Sequence, residues 1–311
     1  MTDAIVPFRW DVSRRERLGR LVPAAAAEPY PGFRDELRRC CARTIALAGD
    51  ARLIFVGRSP QYLYDYLSGA LAETSWRDRL TLLHYSKRGD ETEPGRFLAR
   101  HTAAAMALSA YFKSVGLDPR DIGNAAHPLR FVDVVWQGDT FGSLTGFLLL
   151  WAREVGVDWR AVQRRLGYVG LTLRESHGPK TWRWQKNQGW LRDVPDALVR
   201  NVSADPLFWS FIGIKEPSVT PSHGSWRWND PAAALPVRDK GTLAGLALAV
   251  TIHGWGTEPD ERAHLARLLA GESAMREAWL RKLVLELKAR NRDKRMKRRT
   301  RASGNPSPRA R

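Results

Sequence analysis

The sequence predicts an α/β protein: an open, mostly parallel sheet flanked by helices, followed by a tryptophan-rich cap region and a helical C-terminal region. Two strand-turn-helix units carry that reading. In one, the β-branched run Phe131-Val-Asp-Val-Val135 leads through Gly138, Asp139, Thr140 and Gly142 into an apolar helical pattern that begins near Ser143 and includes Leu144, Phe147, Leu148 and Trp151. In the other, Arg52-Leu-Ile-Phe-Val56 leads through Gly57-Arg-Ser-Pro60 into a helical stretch from Gln61 to about Leu71. Repetition of strand, turn and helix is how a chain assembles a parallel sheet, because each parallel pair needs a crossover long enough to return to the same edge.

The other elements follow from periodicity and breakers. Pro29, Pro31 and Gly32 precede a helix from Arg34 to about Leu47 whose Leu37, Cys40, Cys41, Ile45 and Leu47 share a face. Tyr62, Leu63, Tyr66, Leu67 and Leu71 form the stripe of the next helix, and Leu80 to Tyr85 reads as a strand. A polar segment from Ser86 to Gly95 leads to a helix from Arg96 to about Val115; beyond the glycine turn come a short helix from Trp159 to Arg165 and a strand from Tyr168 to Leu173.

The region 174–240 is rich in tryptophan, and Thr181-Trp-Arg-Trp184 and Ser225-Trp-Arg-Trp228 repeat one pattern. On an extended backbone both indoles of each copy share a face, where they stack a heterocycle beside Arg183 or Arg227, or fill a core. Gly241 to Val250 reads as a buried helix or strand. Thr257, Pro259 and Asp260 start a helix with Leu265, Leu268 and Leu269 inward, and another runs from Glu272 through Trp279 to Leu287. The chain thus divides into a lead over 1–31, an α/β core over 32–173, the cap over 174–240, a helical region over 241–289 and a basic tail over 290–311 of disordered composition.

Composition narrows the function classes. With 43% hydrophobic and 27% charged residues the chain is globular, and a formal net charge of +17 draws it toward phosphorylated ligands, nucleic acid or anionic surfaces. The stretch 288–311 holds eleven Lys and Arg against the single Asp293, so more than half of that excess is tail, which reads either as a nucleic-acid contact or as a solvated terminus. Cys40 and Cys41 are adjacent and badly placed to pair with each other, the first twenty residues lack a secretory signal, and no apolar stretch reaches the ~20 residues of a membrane span; cytoplasm is the expected location. The seven histidines lack metal-site spacing, and there is neither a G-x-x-x-x-G-K-[ST] nor a G-x-S-x-G motif, which argues against a zinc centre, a P-loop NTPase and an α/β-hydrolase.

Read as D-V-V-x-x-G-x-T, the residues Asp133, Val134, Val135, Gly138 and Thr140 resemble the phosphoribosyl-pyrophosphate loop of type I phosphoribosyltransferases. The resemblance covers roughly Leu53 to Thr172. It implies that Gly138, Asp139, Thr140, Phe141, Gly142 and Ser143 surround a sugar 5′-phosphate and that Asp133 contacts the ribose. Gly57, Arg58 and Ser59 stand where the family's pyrophosphate loop sits, and Lys87 and Arg88 where its mobile loop closes. The family usually shows two neighbouring acids at this strand end, and Val132 stands where the first would be.

Magnesium is an implied cofactor and phosphoribosyl pyrophosphate or a nucleotide an implied ligand. The implied activity is transfer of a phosphoribosyl group to or from an acceptor, with Arg58 neutralising the departing pyrophosphate, Asp133 positioning the ribose and Asp139 the one nearby carboxylate left to assist. A non-catalytic nucleotide-sensing or RNA-binding protein on the same fold is the alternative, favoured by Val132 and by the tail.

Overall fold

The computed structural model describes residues 4–86, 93–174, 183–215, 217–220 and 228–289. Along the chain run α1 (Phe33–Ala48), β1 (Arg52–Val56), α2 (Gln61–Leu71), β2 (Leu80–Leu83), α3 (Pro94–Arg100), α4 (Thr102–Ser114), α5 (Pro119–Ile122), β3 (Leu129–Val134), α6 (Asp139–Glu154), α7 (Trp159–Gln163), β4 (Leu166–Leu173), β5 (Val199–Ala204), α8 (Pro206–Ser210), α9 (Lys240–Thr257) and α10 (Pro259–Ala270), with a last helix over 278–289.

The strands form one five-stranded sheet in the order β2-β1-β3-β4-β5, and every pairing is parallel. Alternation along the strands gives the sheet two buried faces. Leu53, Phe55, Val132, Val169, Leu171 and Val202 pack with α1, α2, α8, α9, α10 and the last helix. Ile54, Val56, Phe131, Val135 and Tyr168 face α3, α4, α6 and the segment around Trp184. Strands buried on both faces are mostly apolar, which is why β1 and β3 stand out in the sequence.

The order reverses between β1 and β3. The crossover from β1 to β2 uses α2 on one face, and that from β3 to β4 uses α6 on the other. In a doubly wound sheet this reversal opens a crevice at the carboxyl ends of the two strands.

Several boundaries differ from the sequence reading. The helix of the glycine turn begins at Asp139 rather than near Ser143, directly after Gly138 at φ 86°. The single helix expected from Arg96 to Val115 is two, meeting at His101. Thr257 closes α9 instead of capping the next helix, whose N-cap is Glu258. Lys240–Thr257 is helical and capped by Asp239, whose carboxylate accepts from the Thr242 N–H at 2.9 Å and from its hydroxyl at 2.8 Å.

β5 falls inside the tryptophan-rich stretch and pairs with β4, so the sheet extends past residue 173. The lead contributes Val12, Leu18 and Val22, and the C-terminal helices Leu246, Leu265 and Leu283, to one continuous core with α1 and α2. Lys87, Arg88, Trp182, Arg227 and the tail beyond residue 289 lie outside the described residues. Among the described residues no helix is long and apolar enough to cross a membrane.

Candidate functional site at the carboxyl edge

The loops that follow β1, β2 and β3 meet at the reversal of strand order, and Tyr85 ties them together. The Gly57 N–H donates to the Leu83 carbonyl at 2.8 Å, and a Cβ on Gly57 would stand 2.9 Å from the Tyr85 carbonyl oxygen. The Tyr85 hydroxyl in turn lies 2.7 Å from the Ser143 hydroxyl on α6. Tyr85 is 6% exposed, and burial pushes its hydroxyl up to about 12, so it works as a neutral hydrogen-bonding strut. Gly57 at φ 77° supplies the backbone shape that lets the β1 loop pass so close to this strut.

Arg58 follows at once, half-buried, and among the described residues no acceptor pairs with its side chain. Most other part-buried arginines of the chain have carboxylate partners, Arg9 with Asp65 and Arg38 with Glu261 among them. A guanidinium without such a partner beside a helix start is disposed toward an anion.

On the β3 side, Gly138 in the left-handed conformation turns the chain so that α6 begins at Asp139 with its N-terminus at the carboxyl edge. The first N–H groups of any helix lack acceptors within it, and the helix dipole adds positive potential there. One side of this turn is already covered. A Cβ on Gly138 would lie 2.3 Å from the Trp184 ring, and one on Gly142 would lie 2.7 Å from the Trp190 indole nitrogen. The Gln188 amide donates to the Gln137 carbonyl at 2.6 Å and to Asp139 at 3.3 Å. Gly138 is therefore buried and Phe141 is fully buried, while Asp139, Thr140, Gly142 and Ser143 keep partial access to solvent. Any anion must approach from the Thr140 side, toward the β1 loop.

Asp133 lies at the end of β3 on the face of Phe131 and Val135, 7% exposed. Its carboxyl accepts from the Val134 N–H at 2.7 Å and from the Thr140 side chain. Desolvation nevertheless outweighs both bonds and raises its pKa to about 8, so at neutral pH it is mostly a protonated, hydrogen-bond-donating acid. Val132 points to the opposite face, fully buried against the α1 and α2 core. A carboxylate at 132 would be stranded in hydrocarbon, which gives the missing acid a structural reason.

Among the described residues no group of three or more His, Cys, Asp or Glu is placed to hold a metal ion, and the one acid at the strand end retains its proton to about pH 8.

Sequence reasoning missed a slot beside the turn. The pairing register sets Asp133, Gly170 and Asn201 in one row across β3, β4 and β5. Because Gly170 has no side chain, Trp184 drops into the row and its indole N–H donates to the Asn201 side-chain oxygen at 2.9 Å. A slot of about 110 Å³ remains, lined by Val135, Trp136, Thr172, Leu173, Arg183, Trp184, Gln185, Asn201 and Trp209. Trp209 is held by its own N–H donating to the Leu171 carbonyl at 3.1 Å. Gln185 keeps its side-chain oxygen buried with no hydrogen-bond partner among the described residues, a state that costs about 1–3 kcal/mol. The tryptophans visible here thus do both things the sequence allowed: Trp228 is buried and stacked on Tyr111 at 5.2 Å, whereas Trp184 is buried and still forms a slot wall.

The fold and this edge define the chain as a doubly wound α/β protein with a candidate ligand edge at the carboxyl ends of its strands. Comparison with protein-family models, with curated proteins and with solved structures finds no match to the chain.

Proposed function

We propose that the chain is phosphoribosyltransferase-like in its ligand: it binds phosphoribosyl pyrophosphate or a ribose 5-phosphate-bearing nucleotide at the carboxyl edge, between the β1 loop and the N-terminus of α6. The observation that carries this reading is the convergence through Tyr85 of the Gly57 loop, with Arg58 unpaired among the described residues, and the Gly138-capped helix start. The helix amides take the terminal phosphate, Arg58 takes a second anionic group, and Asp133, with the Thr140 hydroxyl bonded to it, meets a ribose hydroxyl.

The helix amides, Thr140 and Asp133 are held in place before the ligand arrives. Their contribution is therefore positioning and charge compensation, which is the form catalysis takes when a phosphoribosyl bond breaks by departure of pyrophosphate. The transferase reading asks Asp133 to act as a carboxylate, so transfer should rise with pH through about 8. A sensing protein that binds without turnover is the second reading, favoured by the same residue, since a buried protonated acid donates a hydrogen bond to a ribose oxygen without ionising.

Calorimetric titration with phosphoribosyl pyrophosphate and with ribose 5-phosphate, with and without magnesium, tests the binding. Arg58→Ala is expected to weaken phosphoribosyl pyrophosphate by about tenfold to a hundredfold, the loss of a charge-assisted contact, and Thr140→Val by about tenfold. Parent affinity retained in both variants places the ligand elsewhere. An assay for pyrophosphate release with candidate acceptors separates the two readings: turnover identifies a transferase, and binding without release over pH 6 to 9 identifies a sensor.

A further inference from the structure

We propose that the slot between Trp184 and Trp209 binds a planar, single-ring heterocycle that carries N–H donors. The inference deepens the reading above, because Trp184 is both a wall of the slot and the side chain packed on Gly138 of the phosphate turn.

Shape argues for a single ring. About 110 Å³ is somewhat less than the cavity of about 150 Å³ that holds benzene, so one flat ring fills the slot with an edge at its open mouth, and a fused pair would project beyond it. Val135 and Leu173 give an apolar floor, and the indoles of Trp184 and Trp209 offer faces for stacking. At the mouth Trp136 is 63% exposed and stands 5.5 Å from Trp209, ring to ring, so its ring is free to cover an occupant.

The polar groups then set the chemistry. Gln185 lines the slot, and its side-chain oxygen is shielded from solvent and has no donor among the described residues, so a ring N–H that displaces its cover would satisfy that oxygen. Asn201 uses its oxygen on Trp184, which leaves its NH₂ group to meet a ring carbonyl or ring nitrogen. A donor and an acceptor on the edge of one ring is the pattern of a pyrimidine or a pyridine carboxamide. Exposed Arg183 lies at the slot on the side open to solvent, where it would favour an anionic substituent on that ring.

Calorimetric titration of the full chain with uracil, cytosine and nicotinamide, against hypoxanthine and guanine, tests the slot without requiring turnover. At least one single-ring compound should bind saturably, and the two-ring compounds at least about tenfold more weakly. Gln185→Leu, which keeps size and removes the acceptor, should weaken the ring about tenfold. Trp136→Ala, at a surface position that leaves folding intact, should weaken it by a similar factor through lost stacking.

The proposal is overturned if no single-ring compound binds, if the purines bind equally well, or if both variants bind like the parent. The phosphate reading is judged separately by ribose 5-phosphate and Arg58→Ala. Ring binding without sugar-phosphate binding removes that reading and keeps the slot; sugar-phosphate binding without ring binding does the reverse.

Discussion

Gly256→Ala is expected to destabilise the protein by roughly 4 kcal/mol and to lower its thermal midpoint by roughly 5 °C, the largest single-site loss of fold stability expected here. Helices α2 and α9 cross where Gly69 meets Gly256. A Cβ on Gly256 would stand 2.2 Å from the Tyr66 carbonyl oxygen and 2.8 Å from the Ala70 nitrogen, and one on Gly69 would stand 2.3 Å from the His253 carbonyl oxygen. These obstacles are backbone atoms, so no rotamer change relieves them; the helices must move apart, and the well-packed core they share loses contact along both.

Gly254→Ala is the matched control. It lies on the same helix with nothing within 4 Å of its Cβ, and helix propensity favours alanine there by about 1 kcal/mol. If Gly256→Ala and Gly254→Ala unfold within about 1 kcal/mol of each other, the close crossing is not what holds α2. The result also reaches the candidate site, because α2 begins three residues after Arg58, and displacing the helix should weaken sugar-phosphate binding as well.

Much of the fold was legible because its strands are buried on both sides. β1 and β3 consist mainly of Leu, Ile, Val and Phe, each followed by a glycine turn, and such runs have few alternatives in a globular chain. β5 was not legible for the opposite reason. Val199-Arg-Asn-Val-Ser-Ala204 is an edge strand with Arg200 exposed and Asn201 and Ser203 half-exposed, and only its pairing with β4 reveals it.

The same contrast applies to the site. Gly138 and Thr140 are local signals, since a left-handed glycine ahead of a helix leaves its mark in the sequence. The slot gathers Val135, Thr172, Trp184, Asn201 and Trp209 from five separate segments, and the parallel register that aligns Asp133, Gly170 and Asn201 is a property of the folded sheet alone. The start of α6 at Asp139 was legible in kind but misplaced, because the turn completes its reversal at Gly138 and the helix can begin immediately. Val132 read as a lost acid until the strand's alternation showed that its side chain belongs to the other face.

Asp133→Asn should stabilise the protein at neutral pH while weakening its affinity for phosphoribosyl pyrophosphate about tenfold. In the folded chain burial raises the Asp133 pKa to about 8, whereas unfolded it titrates at the ordinary carboxylate value of 3.8. The folded state therefore holds a proton that the unfolded state has released, and the stability this contributes is complete below the unfolded value and is lost as pH rises through about 8. Each pH unit in that window is worth about 1.4 kcal/mol, so at pH 7 the loss is on the order of 4 kcal/mol. Asparagine keeps the acceptor for the Val134 N–H and has no proton to lose. Its advantage over the parent should be near zero at pH 4, grow to several kcal/mol at pH 8 and level off above it, as measured by denaturant unfolding across that range. A stability difference that does not change with pH would show that Asp133 titrates normally, and with it would fall both the neutral-acid account of this residue and the expected rise of transfer with pH. If the stability gain appears together with weakened binding, the chain carries a carboxyl group where an amide would fold better, and the reason for that residue lies in the ligand it meets rather than in the sheet that holds it.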